Sequence, residues 1–535
     1  MLNDTDVESA LADLEQGQVI SRIWSGDHTV WKSDPTEITD RLEWLTVTDF
    51  MREQTPDLVA FANEVKAEGF KHFVLLGMGG SSLGPEVLRQ TFGGAPGYPE
   101  LIVLDSTVPA WVRSVADAID PAQTLFLVSS KSGSTTEPNM FYAYFRDLVE
   151  QAVGKENAGR HFIAVTDPGS SLASLGGEQG FRRVFLNPTD LGGRYSVLSY
   201  FALVPAAVIG LDVLKLIDRA DQMRAETKPE VPLADNPGAW LGTVMGVFSQ
   251  KGRDKLTLVT SPAISGFGLW VEQLIAESTG KEGLGIVPVA GEPLVSAGHY
   301  GDDRLFVYLR LAGDDNARND AAVKEIEASG QPVVRLELQD TYAIGAEFFR
   351  WEMATAVAGS LLGINPFDQP NVQAAKDMTE SVLGQFEASG KLPAMEDSAP
   401  VGTLLEQASA GDYLVIMAYI PQSPGVDTAL DDLRRRVTKI YGIATTMGYG
   451  PRFLHSTGQL HKGGPGTGLF LQITAEHSRD LDIPGTPFTF AALADAQALG
   501  DLQALRAAGR RSVRVDAGSS QEQGIRRISE DLASQ

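Results

Sequence analysis

The chain has 535 residues, with 44 Lys and Arg against 69 Asp and Glu, 7 His, no Cys and a net charge of −25. At roughly 150 residues per domain, this length predicts three or four domain-sized units with ample chain to bury real cores. The lack of cysteine excludes disulfides, thiolate nucleophiles and Cys-ligated zinc. The acidity argues against nucleic acid as a partner, because a phosphate backbone needs basic surface. The start, Met1-Leu2-Asn3-Asp4-Thr5-Asp6, has neither the basic nor the apolar region of a signal peptide, and no run approaches the apolar length of a membrane span. These features predict a cytoplasmic protein without membrane association.

Residues 1–45 read as a helical segment, and apolar residues recur at helical spacing over 8–16 and 49–68. Short apolar runs at 72–78, 101–106, 124–130, 161–166 and 183–186 are strand-like, with helical stretches such as 85–92, 109–119 and 137–153 between them. Strands alternating with helices imply a parallel sheet covered on both faces, because each parallel connection needs a crossover. The pattern recurs with strands at 256–261, 286–290, 304–310 and 333–338, and helices at 267–278, 320–329, 348–362 and 371–387. A smaller set follows, with strands at 413–420, 469–474 and 512–515 and helices at 427–441 and 491–508. Stretches rich in Pro, Glu and Asp near 225–237 and 390–400 are linker candidates. The expectation is an α/β chain with units at 46–225 and 238–390, each a doubly wound, flavodoxin-like parallel sheet, and a C-terminal α/β extension over 400–535.

Two strand-to-helix loops carry the chemistry. The first strand runs into Gly77-Met78-Gly79-Gly80-Ser81-Ser82-Leu83-Gly84-Pro85, and the third into Ser129-Ser130-Lys131-Ser132-Gly133-Ser134-Thr135-Thr136-Glu137. Glycines let backbone N–H groups turn inward, hydroxyls add donors, and the helix that follows each loop opens with an N-terminus that favours an anion. Either loop alone reads equally well as a Gly/Ser connection with an N-cap. Together, in a sheet of order 2-1-3-4-5, they flank the switch point where ligands bind at strand carboxyl ends, and a phosphate there explains both. Dinucleotide binding is the weaker reading: Gly77 and Gly79 follow a strand and Asp105 ends the next, but Ser82 stands at the third glycine position. No Walker loop is present.

These residues resemble a known family. The second loop fits the Ser-x-Ser-Gly-x-Thr-x-Glu pattern of sugar isomerase (SIS) domains, and the two loops with Lys131 look like those of the glucose-6-phosphate isomerase family. Gly192-Gly193-Arg194-Tyr195-Ser196, Gln273-Leu-Ile-Ala-Glu277-Ser-Thr-Gly280-Lys281 and Asp368-Gln369-Pro-Asn-Val-Gln-Ala-Ala-Lys376 resemble three further family segments. Gly291-Glu292-Pro293, with His299 six residues after the proline, resembles a segment supplying a ring-opening histidine. Ser132 stands where the family usually has Thr, so the hydroxyl survives. The likeness spans about residues 40–380 and is greatest to the isomerase portion of fused transaldolase–isomerase chains. Those chains share an extension reading Leu454-His455-Ser-Thr-Gly-Gln-Leu-His461-Lys462.

The resemblance implies SIS folds and interconversion of glucose 6-phosphate and fructose 6-phosphate through a cis-enediol, in glycolysis and gluconeogenesis, with no metal and no organic cofactor. It makes Glu277 the base, Arg194 the cation for the enediolate, and His299 with Lys376 the ring-opening pair. It assigns Gly80, Ser81, Ser130, Lys131, Ser132, Thr135, Gly193, Gln273 and Gln369 to the sugar and its phosphate. Family members are typically homodimers in which a histidine crosses from the partner subunit. His455 and His461 compete with His299 for the histidine's role. Two alternatives to this reading are a non-catalytic sugar-phosphate-binding module and an isomerase that also accepts mannose 6-phosphate.

Overall fold

In a computed structural model that describes residues 4–393 and 399–532, every strand belongs to one of three parallel sheets. The first contains β1 (His72–Gly77), β2 (Glu100–Leu104), β3 (Thr124–Ser129), β4 (Phe162–Thr166) and β5 (Arg183–Leu186), in the order β2-β1-β3-β4-β5. This is the expected 2-1-3-4-5 arrangement. The central strands β1 and β3 are buried almost throughout because helices cover both faces, so they read as continuous apolar runs. Their ends are level, with Gly77 opposite Ser129, and this brings the two hydroxyl-rich loops side by side.

The second sheet contains β6 (Lys255–Thr260), β7 (Val287–Val289), β8 (Arg304–Leu311) and β9 (Val333–Leu338), ordered β7-β6-β8-β9. The third contains β10 (Tyr413–Tyr419), β11 (Ala444–Tyr449), β12 (Gly468–Thr474) and β13 (Arg511–Asp516), ordered β11-β10-β12-β13. Among the elements that go beyond the sequence reading are β11 and a terminal helix Gln521–Asp531 that packs on the helix Pro424–Tyr441. Residues 225–237 connect the helices Val213–Glu226 and Pro237–Gln250, both of which pack on the helix Ile344–Leu362. Part of the second linker candidate, 394–398, lies outside the described residues.

The helix Phe267–Thr279 lies at the centre of the molecule. It is buried nearly all round, which is why its sequence lacks a polar face. One neighbour is the helix Leu83–Phe92 of the first sheet's unit, and another is the short helix Gly458–Gly463 of the extension. The ring of Trp270 meets Phe348 edge-on at 5.0 Å, so the aromatic helix Ile344–Leu362 is core at this point. The helix Gln373–Ser389 packs against Phe490–Ala507, binding the extension to the rest of the chain. A Cβ on Gly500 would lie 2.6 Å from the Thr379 hydroxyl. Among the described residues no helix is long and apolar enough to cross a membrane.

Phe126 on β3 is fully buried and packs against Phe162 at 5.1 Å and Phe145 at 5.2 Å. Phe126→Ala should destabilise the protein by about 3–5 kcal/mol through the cavity it leaves, read as a lowered urea midpoint.

Candidate active site

The first loop forms a tight turn, Gly79–Ser81, before the helix Leu83–Phe92. Two glycines are required here by what lies against them. Gly79 has φ +54°, and a Cβ on it would lie 2.7 Å from the His455 carbonyl oxygen and 3.0 Å from Gln273 Nε2. A Cβ on Gly80 would lie only 2.0 Å from the Gly193 carbonyl oxygen. The turn therefore touches the Arg194 segment, the Gln273–Glu277 helix and the C-terminal extension at once.

In the second loop, Ser130 Oγ lies 3.0 Å from Thr135 Oγ1 and accepts the Gly133 N–H at 3.1 Å. Ser132 Oγ lies 2.8 Å from Ser134 Oγ. Neither Ser82 nor Thr135, which precede the two helices, caps its helix with a side-chain hydrogen bond. The first-turn N–H groups at both strand ends thus keep their capacity for an anion. Lys131 does not turn into this cradle. Its ammonium is held by the Asp167 carboxylate and donates to the Thr189 carbonyl at 3.0 Å. Asp105, the acid of the rejected dinucleotide reading, is fully buried and bound by Arg452 through two hydrogen bonds of 2.7 Å.

Arg194 sits on the turn Gly193–Tyr195, only 2% exposed. Its Nε donates to Ser278 Oγ at 2.7 Å, Nη1 to Gln369 Oε1 at 2.9 Å, and Nη2 to the Pro366 and Asp368 carbonyls at 2.8 and 2.9 Å. So held, it points Nη1 at Glu277 Oε1, 3.6 Å away. Glu277 is at the end of the helix Phe267–Thr279, with Gln273 one turn earlier on the same face. Gln273 Nε2 donates to Glu277 Oε2 at 3.1 Å and to the His455 carbonyl at 2.8 Å, while Gln273 Oε1 is buried without a partner beside the carboxylate. Lys281, just past the helix, donates to the Asn365 and Asp368 carbonyls at 2.7 and 2.6 Å. Burial, with Arg194 nearby, brings its ammonium down to about 8.

His455 enters from the extension, and its Nε2 lies 3.0 Å from Glu137 Oε1 at the start of the second loop's helix. Gln497 Nε2 donates to the same oxygen at 2.6 Å, and Thr107 Oγ1 donates to Gln497 Oε1 at 2.7 Å. Burial pushes the Glu137 carboxyl up. The charge and hydrogen bond of His455, a backbone N–H and the charge of Lys376 outweigh that push and hold it below its ordinary value. The carboxylate can only accept, so the hydrogen between the two sits on His455 Nε2.

Glu277, Arg194, Gln273, Gln369, Gly80, Gly193 and Ser81 thus come together, and Lys376 lies near the same cleft through Glu137. His299 is not among them. It ends the turn Ala297–His299 at the surface, with Nδ1 3.2 Å from the Lys439 carbonyl, and no contact joins it to Glu277 or Arg194 among the described residues. His461 is buried, and burial holds it well below the usual histidine range, so it packs as a neutral ring 5.1 Å from Phe470. The sequence reading gave Glu137 and Gln497 no role. A glutamate closing a hydroxyl-rich loop signals the first; nothing local signals the second.

Glu137 is ionised in the fold with a lowered pKa. Its stabilising contribution is therefore present above the ordinary carboxylate value of 4.5 and is lost as pH falls through the lower folded value. Glu137→Gln should shallow the acid side of the stability profile, the gap in Tm to the parent narrowing between about pH 6 and pH 3.

Residues 30–285 match the family model for phosphoglucose isomerase. A glucose-6-phosphate isomerase of Staphylococcus saprophyticus is 29% identical over 402 residues, covering 67% of this chain and 90% of that one. One from Staphylococcus aureus (strain Mu3) is 29% identical over 391 residues, covering 65% and 88%. Among solved structures, a Thermus thermophilus protein described as hypothetical has a TM-score of 0.61 at 24% identity over 70% of this chain and 97% of that one. A Chlamydia trachomatis glucose-6-phosphate isomerase has a TM-score of 0.61 at 19% identity over 72% and 87%. At those identities the two structures speak for the fold. The segments that resemble phosphoglucose isomerases are thus gathered in one cleft, and residues 30–285, which match that family's model, supply most of them.

Proposed function

We propose that the protein interconverts D-glucose 6-phosphate and D-fructose 6-phosphate, with Glu277 as the base. The observation that carries this reading is the convergence of the Glu277 carboxylate, the Arg194 guanidinium and the Gly79–Ser81 turn around Gln273.

The phosphate fits the cradle of uncapped helix N-termini, where Ser81, Ser130, Ser132 and Thr135 add hydroxyl donors. With the sugar open, Glu277 takes the proton from C2 of the aldehyde, leaving an enediolate, and returns it to C1; the hydroxyl proton on O2 moves to O1, and no redox partner is needed. Arg194 stabilises the negative charge that develops on those oxygens, and because its geometry is fixed beforehand little reorganisation is required. Gln273 Oε1 accepts from a sugar hydroxyl. A non-catalytic sugar-phosphate module has no use for this carboxylate and guanidinium pair.

For ring opening we assign His455 in place of His299. Glu137 orients its Nε2–H, which leaves Nδ1 to exchange a proton with the ring oxygen or the anomeric hydroxyl, with Lys376 nearby. A homodimer remains the assembly that the family likeness implies, but this histidine comes from the chain's own extension.

Purified protein treated with chelator should turn over fructose 6-phosphate. Glu277→Gln should lower kcat by about 10²–10⁴-fold or more with little change in KM, measured by coupled assay. His455→Asn should lower kcat by about 10²-fold and slow exchange between substrate anomers followed by NMR. His299→Asn should leave both rates unchanged, and the reverse outcome for the two histidines would restore His299 to the role.

A further inference from the structure

A cleft of about 650 Å³ lies between the first sheet's unit, the helix Phe267–Thr279 and the C-terminal extension. It is not the cleft described above: none of Glu277, Arg194, Ser130 or Lys376 lines it. The segment 452–456 separates the two, sending His455 to Glu137 on one side and Arg452, Phe453 and Ser456 to the other.

Two independent features mark it as a binding site. The first is its place in the fold. It opens at the carboxyl ends of β10 and β11, where open parallel sheets bind ligands, and the order β11-β10-β12-β13 reverses between β10 and β12. A second cavity of about 210 Å³ shares Ala110, Ser114 and Pro421 with the first and reaches Glu476 and His477, beyond the end of β12. The larger volume falls within the roughly 300–1,000 Å³ of small-molecule sites.

The second feature is the chemistry of the lining. The rings of Trp111 and Tyr449 meet edge-on at 5.7 Å and give the cleft an aromatic wall. Beside it Tyr449 Oη donates to Asp427 Oδ1 at 2.5 Å, Gln422 Nε2 donates to Asp427 Oδ2 at 3.1 Å and Gln90 Nε2 donates to Glu86 Oε1 at 2.6 Å, a polar rim whose remaining amide and carboxylate acceptors suit hydroxyl groups. The two arginines of the larger cavity are already committed, Arg89 to Glu86 and Arg452 to Asp105, each through two bonds of 2.7 Å, so that cavity's lining has no surplus cation for a phosphate. Glu272 is buried at the edge of the cleft and forms no ion pair among the described residues. Burial pushes its carboxyl up to about 8, so at neutral pH it offers an O–H donor rather than a charge. An aromatic wall bordered by uncharged or charge-balanced polar groups matches a sugar ring, which has one apolar C–H face and a rim of hydroxyls.

We propose that this cleft is a second ligand site, separate from the isomerase site, that binds an uncharged saccharide.

Saturation-transfer NMR on the full chain, with glucose, maltose and sucrose as probes and inorganic phosphate as the charged control, tests this. At least one saccharide should give a transfer signal that persists under saturating fructose 6-phosphate and in Glu277→Gln. Its affinity should fall by about tenfold or more in Trp111→Ala and in Gln422→Ala, the latter a surface change that spares the fold. The proposal is overturned if no saccharide gives a signal, if fructose 6-phosphate displaces it, if both variants bind as the parent does, or if phosphate alone competes for the site. Because the signal is read with the isomerase site occupied or disabled, failure of the isomerase reading would leave this result unaffected.

Discussion

Arg194 places a permanent positive charge where only 2% of the residue is exposed, and a charge taken out of water has to be met by fixed acceptors where it stands. Those acceptors come from the Ser278 hydroxyl, the Gln369 amide and two carbonyls of the 366–368 segment. Each belongs to the second sheet's half of the chain, whereas Arg194 follows β5 of the first. Satisfying the guanidinium therefore docks one half on the other. Lys281 donates to the Asn365 and Asp368 carbonyls, so a single stretch of backbone receives two cations. Between them the position of Glu277 is fixed relative to the two hydroxyl-rich loops, although among the described residues its hydrogen bond and ion pair are to Gln273 and Arg194.

The extension completes the cleft from a third side. Its segment around His455 lies on the Gly79 turn, its helix Phe490–Ala507 supplies Gln497, and the two meet at one buried carboxylate, Glu137. That carboxylate opens the helix behind the second phosphate loop. His455 and the hydroxyl-rich loop are thereby linked through one residue, because the carboxylate that orients the ring stands at the start of the helix that the loop leads into.

How much of this the sequence disclosed depended on range. Strands β1 and β3 were legible because a strand covered on both faces must be apolar throughout, and the sheet order followed from where the hydroxyl-rich loops fell. Strand β11, Ala444–Tyr449, escaped because its run of Thr, Thr, Met and Gly has neither a continuous apolar core nor clean alternation. Glu277, Arg194 and Gln273 were legible through short segments whose spacing carries the information. The partnership of His455 with Glu137 was not, since 318 residues separate them and only the packing of the extension joins them. His299 was drawn in by its spacing from a proline, a local cue, and within the single chain it lies at the Lys439 carbonyl. Lys131 misled in the same way: its neighbours in sequence are hydroxyls, but Asp167 from the next strand's end takes its ammonium.

That capture of Lys131 bears on encounter kinetics. With its nearest lysine neutralised, the proposed cradle has only backbone dipoles and hydroxyls to offer an anion, whose reach is a few ångströms, while the molecule as a whole carries −25. A doubly negative metabolite approaching from bulk solution meets repulsion first and attraction only on arrival. Dissolved salt, which shortens the range of that repulsion without disturbing contacts made inside the cleft, becomes a silent participant in how often productive collisions occur.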